Sequence, residues 1–283
     1  MSKLYLIRLL TFLFFLLFMP GVFAWDASGH KVIAAIAYSQ LTPQAKQRID
    51  AITQTQDRHY PPGARFLYLA PLPDLWRDAQ PDTQGWHYID FPYATDFTPT
   101  TKVQSPNLLT AFVQNQKILI SPTSTPQAKY RALAWIVHLV GDGHQPLHCI
   151  NRFSAQFPKG DAGGNAFLIK DSAANNLHGY WDQAAHLLSS QHYPLSNKNI
   201  QKLAKALMNQ YPKTSFSQLA LSDFNQWVAE CSALAKQAVY TSTITPNHKL
   251  PIEYKKQVAE VASQQLTLAG YRLGDLLNRD FNF

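Results

Sequence analysis

The chain has 283 residues, of which 46% are hydrophobic and 15% are charged, and its formal net charge is +7. This length is enough for one large hydrophobic core, whereas two cysteines are too few for a cysteine-rich structural zinc site. The positive charge favours polyanionic partners only weakly, so it does not identify a ligand.

The first 24 residues have the pattern of a secretory signal peptide. Lys3 and Arg8 make its start positive, residues 9–19 are apolar, and small residues follow as a cleavage signal. Because the apolar run is short for a bilayer, an uncleaved membrane anchor is the weaker alternative. We predict cleavage before Trp25, which leaves residues 25–283 as one domain of a secreted or periplasmic protein without membrane association.

Helix-start residues and apolar periodicity predict helices in the first half of the chain. Thr42 and Pro43, for example, are the residue types that favour a helix cap and a first turn. The predicted helices cover residues 31–41, 42–52, 107–120 and 125–142. A short helix begins near Asp74, whereas residues 57–72 predict a loop and residues 86–90 have extended character.

The second half of the chain continues this helical pattern. Predicted helices cover residues 173–189, 199–208, 217–240 and 251–278, and residues 151–167 form a long irregular segment. Strand patterns are few, and the sequence contains no repeat or linker. The fold class that we predict is therefore all-α, with a single, mostly helical domain.

The two cysteines, Cys149 and Cys231, have two open interpretations. In an exported protein they could form one disulfide. They could equally remain two buried thiols, because their positions along the chain do not show that they meet.

Potential metal ligands converge where the helix predicted at residues 125–142 ends. His138 and Asp142 are four residues apart, so they share one face of that helix. Pro146 cannot continue the helix, and the chain is turned back at His148. Three potential ligands therefore lie within eleven residues.

A second pair repeats this spacing. His178 and Asp182 are also four residues apart, and Asp74 and His87 add an earlier carboxylate and imidazole. A lone histidine in a helix is more often a core or surface residue, but two such pairs together with His148 indicate a metal site. Histidine and aspartate ligands suit zinc, and a carboxylate can bridge two ions. Several such groups favour a multinuclear site, which is typical of phosphoester hydrolysis.

In these motifs the chain resembles the zinc-dependent S1/P1 nuclease family, the single-strand-specific nucleases and 3′-nucleotidases. The matching segments are Trp25-x4-His30, Asp74-x2-Arg77, Trp86-His87-Tyr88-Ile89-Asp90, His138-x3-Asp142-x5-His148, Gly163-Gly164-Asn165 and His178-x3-Asp182. They occur in order between residues 25 and 182, whereas the last hundred residues add helices but no motif. The resemblance implies the all-α fold that this family shares with zinc-dependent phospholipase C.

The resemblance further implies three zinc ions. The first would be held by Asp74, His87, His138 and Asp142, and the second by His148, His178 and Asp182. The third would be held by the α-amino nitrogen and carbonyl oxygen of Trp25, with His30 and a second oxygen of Asp142. Because only a free N-terminus can present that amine, cleavage before Trp25 would complete the metal site.

The reaction implied by the resemblance is phosphoester hydrolysis. A zinc-bound hydroxide would attack phosphorus in single-stranded DNA or RNA and leave 5′-phosphorylated products, and 3′-nucleotides would also be substrates. Asp74 would orient the nucleophile, and Arg77 would neutralise charge on the phosphoryl group. The alternative role for Arg77 is a surface ion pair with Asp78 or Asp82. The enzyme is expected to be a monomer.

Three residues are candidates for binding the nucleotide. Tyr88 offers a ring for base stacking, and Asp90 could accept hydrogen bonds from a base edge, like the aromatic residue and the aspartate of the family's base pocket. Asn165, which follows two glycines, could line the same pocket. Alternatively, Tyr88 and Asp90 only pack beside the site, and Asn165 holds its own loop through hydrogen bonds.

Two other functions are compatible with a buried zinc site. A zinc-dependent phospholipase C is the nearer one, but that family has Glu at the position of Asp182 and a longer interval between its N-terminal Trp and the first His. A zinc-binding protein without turnover is the other. The acidic His-rich loop typical of such proteins is missing from the sequence, and Arg77 would not help to hold cations.

Overall fold

The computed structural model describes residues 25–56, 58–188 and 195–282, and the predicted signal peptide at residues 1–24 lies outside these ranges. Within them the chain is mostly helical, as predicted. The helices are α1 (Ala27–Ser39), α2 (Pro43–Gln54), α3 (Pro62–Leu69), α4 (Leu72–Trp76), α5 (Leu108–Ile120), α6 (Pro126–Asp142), α7 (Leu177–Asp182), α8 (Asn197–Gln210), α9 (Phe224–Leu234) and α10 (Ile252–Phe281). None of these helices has the length and apolar character needed to cross a membrane.

Side-chain caps set the starts of the helices that the sequence predicts best. The Thr42 hydroxyl accepts a hydrogen bond from the Ala45 amide at 3.2 Å, and Thr125 caps α6 in the same way. Asn107 caps α5, where its side chain and that of Thr110 form reciprocal bonds to the backbone. These local bonds explain why the predicted starts at 42, 107 and 125 are confirmed.

The core is organised around α1 and α6. Residues 32–37 of α1 are buried on every side, because α3, α6, α8 and α10 all pack against this helix. Residues 132–142 of α6 are buried as well, between α1, α5 and α10. A helix that is enclosed all round has no solvent-facing stripe. The polar side chains in this buried part of α6, His138 and Asp142, therefore face the protein interior.

Three local predictions are wrong. Residues 57–72 contain helix α3, which begins at Pro62, a residue type that suits the first turn of a helix. Trp86 and His87 are not extended but end a 3-10 turn, Pro81–His87, and the extended chain begins only at Tyr88. The helix predicted at 173–189 is limited to α7, because residues 184–186 have positive φ angles of 48–76°.

A short parallel ladder connects two segments that follow predicted ligands. Strand β1 (Pro92–Ala94) pairs with strand β2 (Asn151–Phe153). Before the ladder, the Ile89 amide donates a hydrogen bond to the carbonyl of His148 at 2.8 Å. The chain after His87 therefore runs beside the chain after His148.

The two cysteines do meet. Cys149 and Cys231 form a disulfide with their Cα atoms 5.9 Å apart. It connects the residue after His148 to helix α9, across 82 positions of sequence. The interpretation as two free thiols is thereby excluded, and a disulfide fits an oxidising compartment.

Candidate metal centre

Four predicted ligands from three elements meet at the end of α6. Asp74 lies in α4, His87 ends the 3-10 turn, and His138 and Asp142 occupy the last turn of α6. The His87 Nδ1 and His138 Nε2 atoms are 3.0 Å apart. Asp142 Oδ2 lies 3.3 and 3.4 Å from these two nitrogens, and Asp74 Oδ1 lies 3.6 and 3.5 Å from them. All four side chains are buried.

A second group combines the segment after α6 with α7. The Nε2 atoms of His148 and His178 are 3.2 Å apart, and Asp182 Oδ2 lies 3.5 Å from His178 Nε2. The three ligand atoms all lie within 4.8 Å of one another, and the residues are buried. The structure therefore brings together the three side chains that the sequence assigned to one ion.

A third group lies where α1 crosses α6. His30 Nε2 is 3.4 Å from Asp142 Oδ1, and the His30 ring stacks on His138 with centroids 3.9 Å apart. Gly141 permits this approach, because a Cβ there would lie 2.7 Å from His30 Nδ1. Trp25 is fully buried, and its indole Nε1 donates to the carbonyl of Gly141 at 3.1 Å. Asp142 thus takes part in two groups, one through each oxygen.

Backbone carbonyls fix the orientation of three of these imidazole rings. The Nδ1 atoms of His138, His148 and His178 lie 2.9, 2.6 and 2.7 Å from the carbonyl oxygens of Ala70, His87 and Gly163. A carbonyl only accepts, so each Nδ1 carries the proton. In the neutral rings each Nε2 then directs a lone pair into the centre, which is the state that binds a metal ion.

The donor geometry fits zinc. Zn–N and Zn–O bonds of about 2.0–2.1 Å in a tetrahedron place neighbouring ligand atoms roughly 3.3 Å apart. The shortest distances between ligand atoms in the three groups run from 3.0 to 3.6 Å, and the ligand atoms of the second group all lie within 4.8 Å of one another. Among the described residues, four of the buried atoms that face the centre have no hydrogen-bond partner: His30 Nε2, Asp74 Oδ1 and both oxygens of Asp142. Bound cations would stabilise such atoms.

Burial also shifts the ligands toward uncharged forms. It lowers the pKa values of His30, His87 and His148 well below 6.5, and the neighbouring histidines contribute to the same shift. Burial likewise raises the pKa of Asp142 well above 3.8. At His138 burial acts downward, but Asp142 and Asp74 outweigh it and raise its pKa to about 9. A proton and a metal ion therefore compete for His138.

Arg77 lies beside these groups, directly after α4. Its side chain is half-buried, and within the described chain its Nη1 atom is buried without a hydrogen-bond partner. Its positive charge acts on His87, Asp142 and His148. The described residues include no ion pair between Arg77 and Asp78 or Asp82. The guanidinium is thus available to an anion at the centre.

The residues predicted to bind a base lie on the segment that leaves His87. Tyr88 and Asp90 are half-buried. Burial raises the pKa of Asp90 to about 6, and the nearby carboxylate of Asp161 acts in the same direction. Burial and Asp90 also raise the pKa of the Tyr88 hydroxyl. We call this pair of half-buried polar side chains, Tyr88 and Asp90, the polar recess.

The Gly163-Gly164-Asn165 motif serves the second group through its backbone. Gly163 has a φ of +59°, and a Cβ there would lie 2.4 Å from the carbonyl oxygen of Leu147. This glycine therefore allows its own carbonyl to reach His178. The Asn165 side chain donates to the carbonyl of Ala162 at 2.8 Å, so it holds its own loop.

The sequence motifs did not identify Gln145 as a residue of the site. It is fully buried, and its Nε2 donates to Asp182 Oδ1 at 2.6 Å while its Oε1 accepts from the Leu147 amide. This bond leaves Asp182 Oδ2 facing His178. Its position between Asp142 and His148 was the one available signal, because residues between ligands often orient them.

Comparisons with known proteins agree with these motifs. The family model described as S1/P1 Nuclease matches residues 25–282. Endonuclease 2 of Arabidopsis thaliana is 23% identical over 93% of this chain and 92% of its own length. Nuclease S1 of Aspergillus oryzae is 24% identical over 90% of this chain and 91% of its own length. Nuclease P1 of Penicillium citrinum is 23% identical over 90% of this chain and 97% of its own length.

Proposed function

This chain belongs to the S1/P1 nuclease family, and we propose that it is a zinc-dependent nuclease that hydrolyses single-stranded DNA and RNA to 5′-phosphorylated products. We further propose that it removes phosphate from 3′-nucleotides. The relatives named nuclease or endonuclease support the reaction class. The chemistry of the buried site supports the metal, and the substrates are those that the family resemblance implies.

The strongest support is the spacing of the donor atoms. In each of the three groups the closest pairs of ligand atoms are 3.0–3.6 Å apart, which matches the edges of a zinc coordination tetrahedron. We therefore assign one zinc to Asp74, His87, His138 and Asp142, and a second to His148, His178 and Asp182. We assign a third to His30, Asp142 and the freed amine and carbonyl of Trp25.

Processing before Trp25 is part of the proposal. The buried Trp25 is held by Gly141, and the amide of Asp26 donates to the carbonyl of Asp182 at 3.1 Å. These bonds support a fixed position for the new N-terminus beside two of the groups. The disulfide supports a secreted or periplasmic location. We propose that the protein is a monomer that does not associate with a membrane.

Zinc ions held here would lower the pKa of a bound water to about 7 and place positive charge beside the phosphoryl group. In the proposed reaction, the water oxygen bonds to phosphorus, the bond from phosphorus to the 3′-oxygen breaks, and that oxygen takes up a proton. Asp74 would accept a hydrogen bond from the attacking water. The available guanidinium of Arg77 would donate to the phosphoryl oxygens, where charge develops.

Base binding is proposed for the segment that follows His87. The Tyr88 ring would stack on a base that is unstacked from its neighbours, which double-stranded nucleic acid resists. Asp90, with a pKa of about 6, would hydrogen-bond to the base edge. Asn165 would lie at the edge of this recess. Because its side chain bonds to the Ala162 carbonyl, its main role would be to support its own loop.

The test is an activity assay on the chain processed to begin at Trp25. We expect hydrolysis of single-stranded DNA, single-stranded RNA and 3′-AMP, abolished by a chelator and restored by zinc. Each new polynucleotide fragment should carry a phosphate on its 5′ end, and 3′-AMP should yield adenosine and inorganic phosphate. Hydrolysis of phosphatidylcholine without hydrolysis of nucleic acid would instead identify a phospholipase C. Zinc binding without any turnover would identify a zinc-binding protein.

A further inference from the structure

The β1–β2 ladder leads from the candidate centre to the protein surface. Tyr93 and Arg152 are register partners in this ladder. Arg152 follows His148 by four residues, and Tyr93 follows His87 by six. Since a chain extends at most about 3.5 Å per residue, Arg152 lies within roughly 14 Å of His148, and Tyr93 within roughly 21 Å of His87. Both residues are therefore close to the centre without being part of it.

Two cations are held on tyrosine rings at this ladder. Lys236 Nζ lies 5.6 Å from the centroid of the Tyr93 ring, and the guanidinium carbon of Arg152 lies 5.1 Å from that of Tyr240. The two tyrosine rings are 6.1 Å apart. We call these four residues, Tyr93, Arg152, Lys236 and Tyr240, the cation–tyrosine track.

The tyrosines of the track are anchored. Both are half-buried and pack against the smaller hydrophobic cluster of the protein. The Tyr240 hydroxyl donates to Asp161 Oδ2 at 2.7 Å, and the amide of Arg152 donates to Asp161 Oδ1 at 3.0 Å. Asp161 is fully buried and is occupied by these bonds. Asp161 therefore holds the Tyr240 side chain and the Arg152 backbone in place.

The charges of the track are not neutralised by ion pairs. Within the described ranges, no carboxylate oxygen lies within 4.0 Å of the Lys236 ammonium or the Arg152 guanidinium, whereas Lys213, Lys255 and Arg272 all have acidic partners. Lys236 is exposed and Arg152 is half-buried. The guanidinium of Arg152 acts on the buried carboxylate of Asp161 without a direct ion pair. Two cations that lie on aromatic rings without an ion-pair partner are suited to bind anions.

We propose that the cation–tyrosine track binds the backbone of a single-stranded polynucleotide a few nucleotides away from the bond that is cut. The identity of this ligand rests on the proposed function. Neighbouring cations and aromatic rings are the combination with which proteins bind single strands without sequence preference. At about 3.4 Å per stacked nucleotide, the 14 Å from His148 to Arg152 corresponds to roughly four nucleotides. The track would thus favour polymers over short substrates.

Binding can be measured apart from catalysis. We would measure the fluorescence anisotropy of labelled dT20 with the full processed chain in the presence of a chelator. The double variant Arg152→Gln/Lys236→Gln should bind about 25-fold more weakly at 0.1 M salt, and its plot of log K against log salt concentration should be shallower by about 1.4, as expected when two phosphate contacts are lost.

The chain offers a matched control. Lys46 also lies over a tyrosine, 4.6 Å from the centroid of Tyr38, but near the end of α1 opposite to His30. Lys46→Gln removes one positive charge, as Lys236→Gln alone does, and should change dT20 binding less than twofold, whereas Lys236→Gln alone should weaken it about fivefold. An equal weakening by Lys46→Gln would overturn the proposal, because it would show a general effect of net charge. Thermal melts of all variants verify that they fold.

Activity against substrates of two lengths completes the test. In the zinc-loaded enzyme the double variant should lose about tenfold or more in kcat/KM on dT20, mainly through KM, and clearly less on a dinucleoside monophosphate. Equal losses on both substrates, or no binding of dT20 by the unmodified chain, would refute the track. So would weaker binding to phosphatidylserine vesicles with unchanged dT20 binding. If dT20 binds at the track but neither substrate is cut, the proposed function fails and the track stands.

Discussion

The two sides of the candidate metal centre are built by different means. On the side of Asp142, Asp74 and His87 lie on the short α4 and in a 3-10 turn. The other side-chain ligands there, His30, His138 and Asp142, project from α1 and α6, helices of 13 and 17 residues whose packing fixes them in the core. On the side of Asp182, the ligands come from a four-residue turn, Pro146–Cys149, and from the six-residue α7. Elements this short are not stable on their own.

Specific bonds replace helix packing on the Asp182 side. The disulfide at Cys149 anchors the turn, Gln145 holds Asp182, and the Gly163 carbonyl holds His178. The comparison teaches that His30 and Asp142, which lie on long buried helices, are positioned by packing, whereas all three ligands of the Asp182 side lie on short elements and depend on these specific bonds. We therefore expect the two sides to fail differently when they are changed.

The largest effect is expected from Asp142→Asn. This substitution keeps the shape but removes the charge that both oxygens direct at two neighbouring groups. We predict that zinc per chain falls from three to one, and that kcat/KM on single-stranded DNA falls at least about 10³-fold, corresponding to several kcal/mol of charge stabilisation. Elemental analysis by mass spectrometry and initial rates would test this. A variant with normal zinc content would contradict the shared role of Asp142.

Asp182→Asn is the matched comparison on the other side. Asp182 contributes to one group only. We expect the loss of one zinc per chain and a fall in kcat/KM of about 10²-fold, smaller than for Asp142→Asn. The same two measurements apply. If Asp182→Asn proved as damaging as Asp142→Asn, the two sides would form one inseparable unit.

Removing the disulfide tests the support of the Asp182 side. The double variant Cys149→Ala/Cys231→Ala should lose about 3 kcal/mol of unfolding free energy, because the bond closes a long loop. At moderate temperature it should still fold and lose zinc from the Asp182 side first. Urea unfolding curves and zinc content at 25 °C check this expectation. Equal zinc loss from both sides would show that the bond supports the whole fold.

A finer test of the same side is Gln145→Ala. Loss of the bond to Asp182 should weaken zinc binding by one site about 10–100-fold, the usual effect of a residue that orients a ligand. The control is Gln183→Ala, whose side-chain amide bonds to the Ala173 carbonyl rather than to a ligand. Competition with a fluorescent chelator would measure both affinities. Similar zinc affinities of the two variants would show that Gln145 does not orient Asp182 for metal binding.

The smallest expected effect is the contribution of Asp90 to the pH dependence of the free energy of unfolding. Its pKa is about 6 in the folded state and about 3.8 when unfolded. Between these values the folded state holds more protons than the unfolded one, so the free energy of unfolding falls as the pH rises. The full difference corresponds to at most about 3 kcal/mol, and we expect about 1–2 because solvent screens a half-buried charge.

Asp90→Asn should abolish this fall. Urea unfolding at pH 4.5 and pH 7.5, in chelator so that zinc release does not contribute, should show the variant gaining stability over the unmodified protein at the higher pH. Parallel changes in both proteins would mean that Asp90 titrates normally.

The sequence predicts the Asp142 side better than the Asp182 side for a physical reason. Caps such as Thr125 and the spacing of His138 and Asp142 act within one helix, so they are visible in a short stretch of sequence. The bonds of Gln145 and of Cys149 join positions 37 and 82 residues apart. Nothing local in the sequence reveals such pairings.

The errors in secondary structure have a similar origin. Ala184 and Ala185 favour helix intrinsically, yet both have left-handed φ angles. Tertiary packing outweighs their propensity, since Ala184 is fully buried in the main core. His87 lies in a turn rather than a strand, and there its Nδ1 faces His138. Local preference was overridden at the places where a ligand had to be positioned.

The central claim is that three zinc ions are bound by nine residues, one of them the new N-terminal Trp25. Anomalous X-ray diffraction at the zinc edge, on crystals of the chain processed to begin at Trp25, tests it most directly. We predict three peaks, one in each of the three groups, with Asp142 between two of them and the Trp25 amine at the peak beside His30. Fewer than three peaks, or a Trp25 amine that contacts no zinc, would contradict the account.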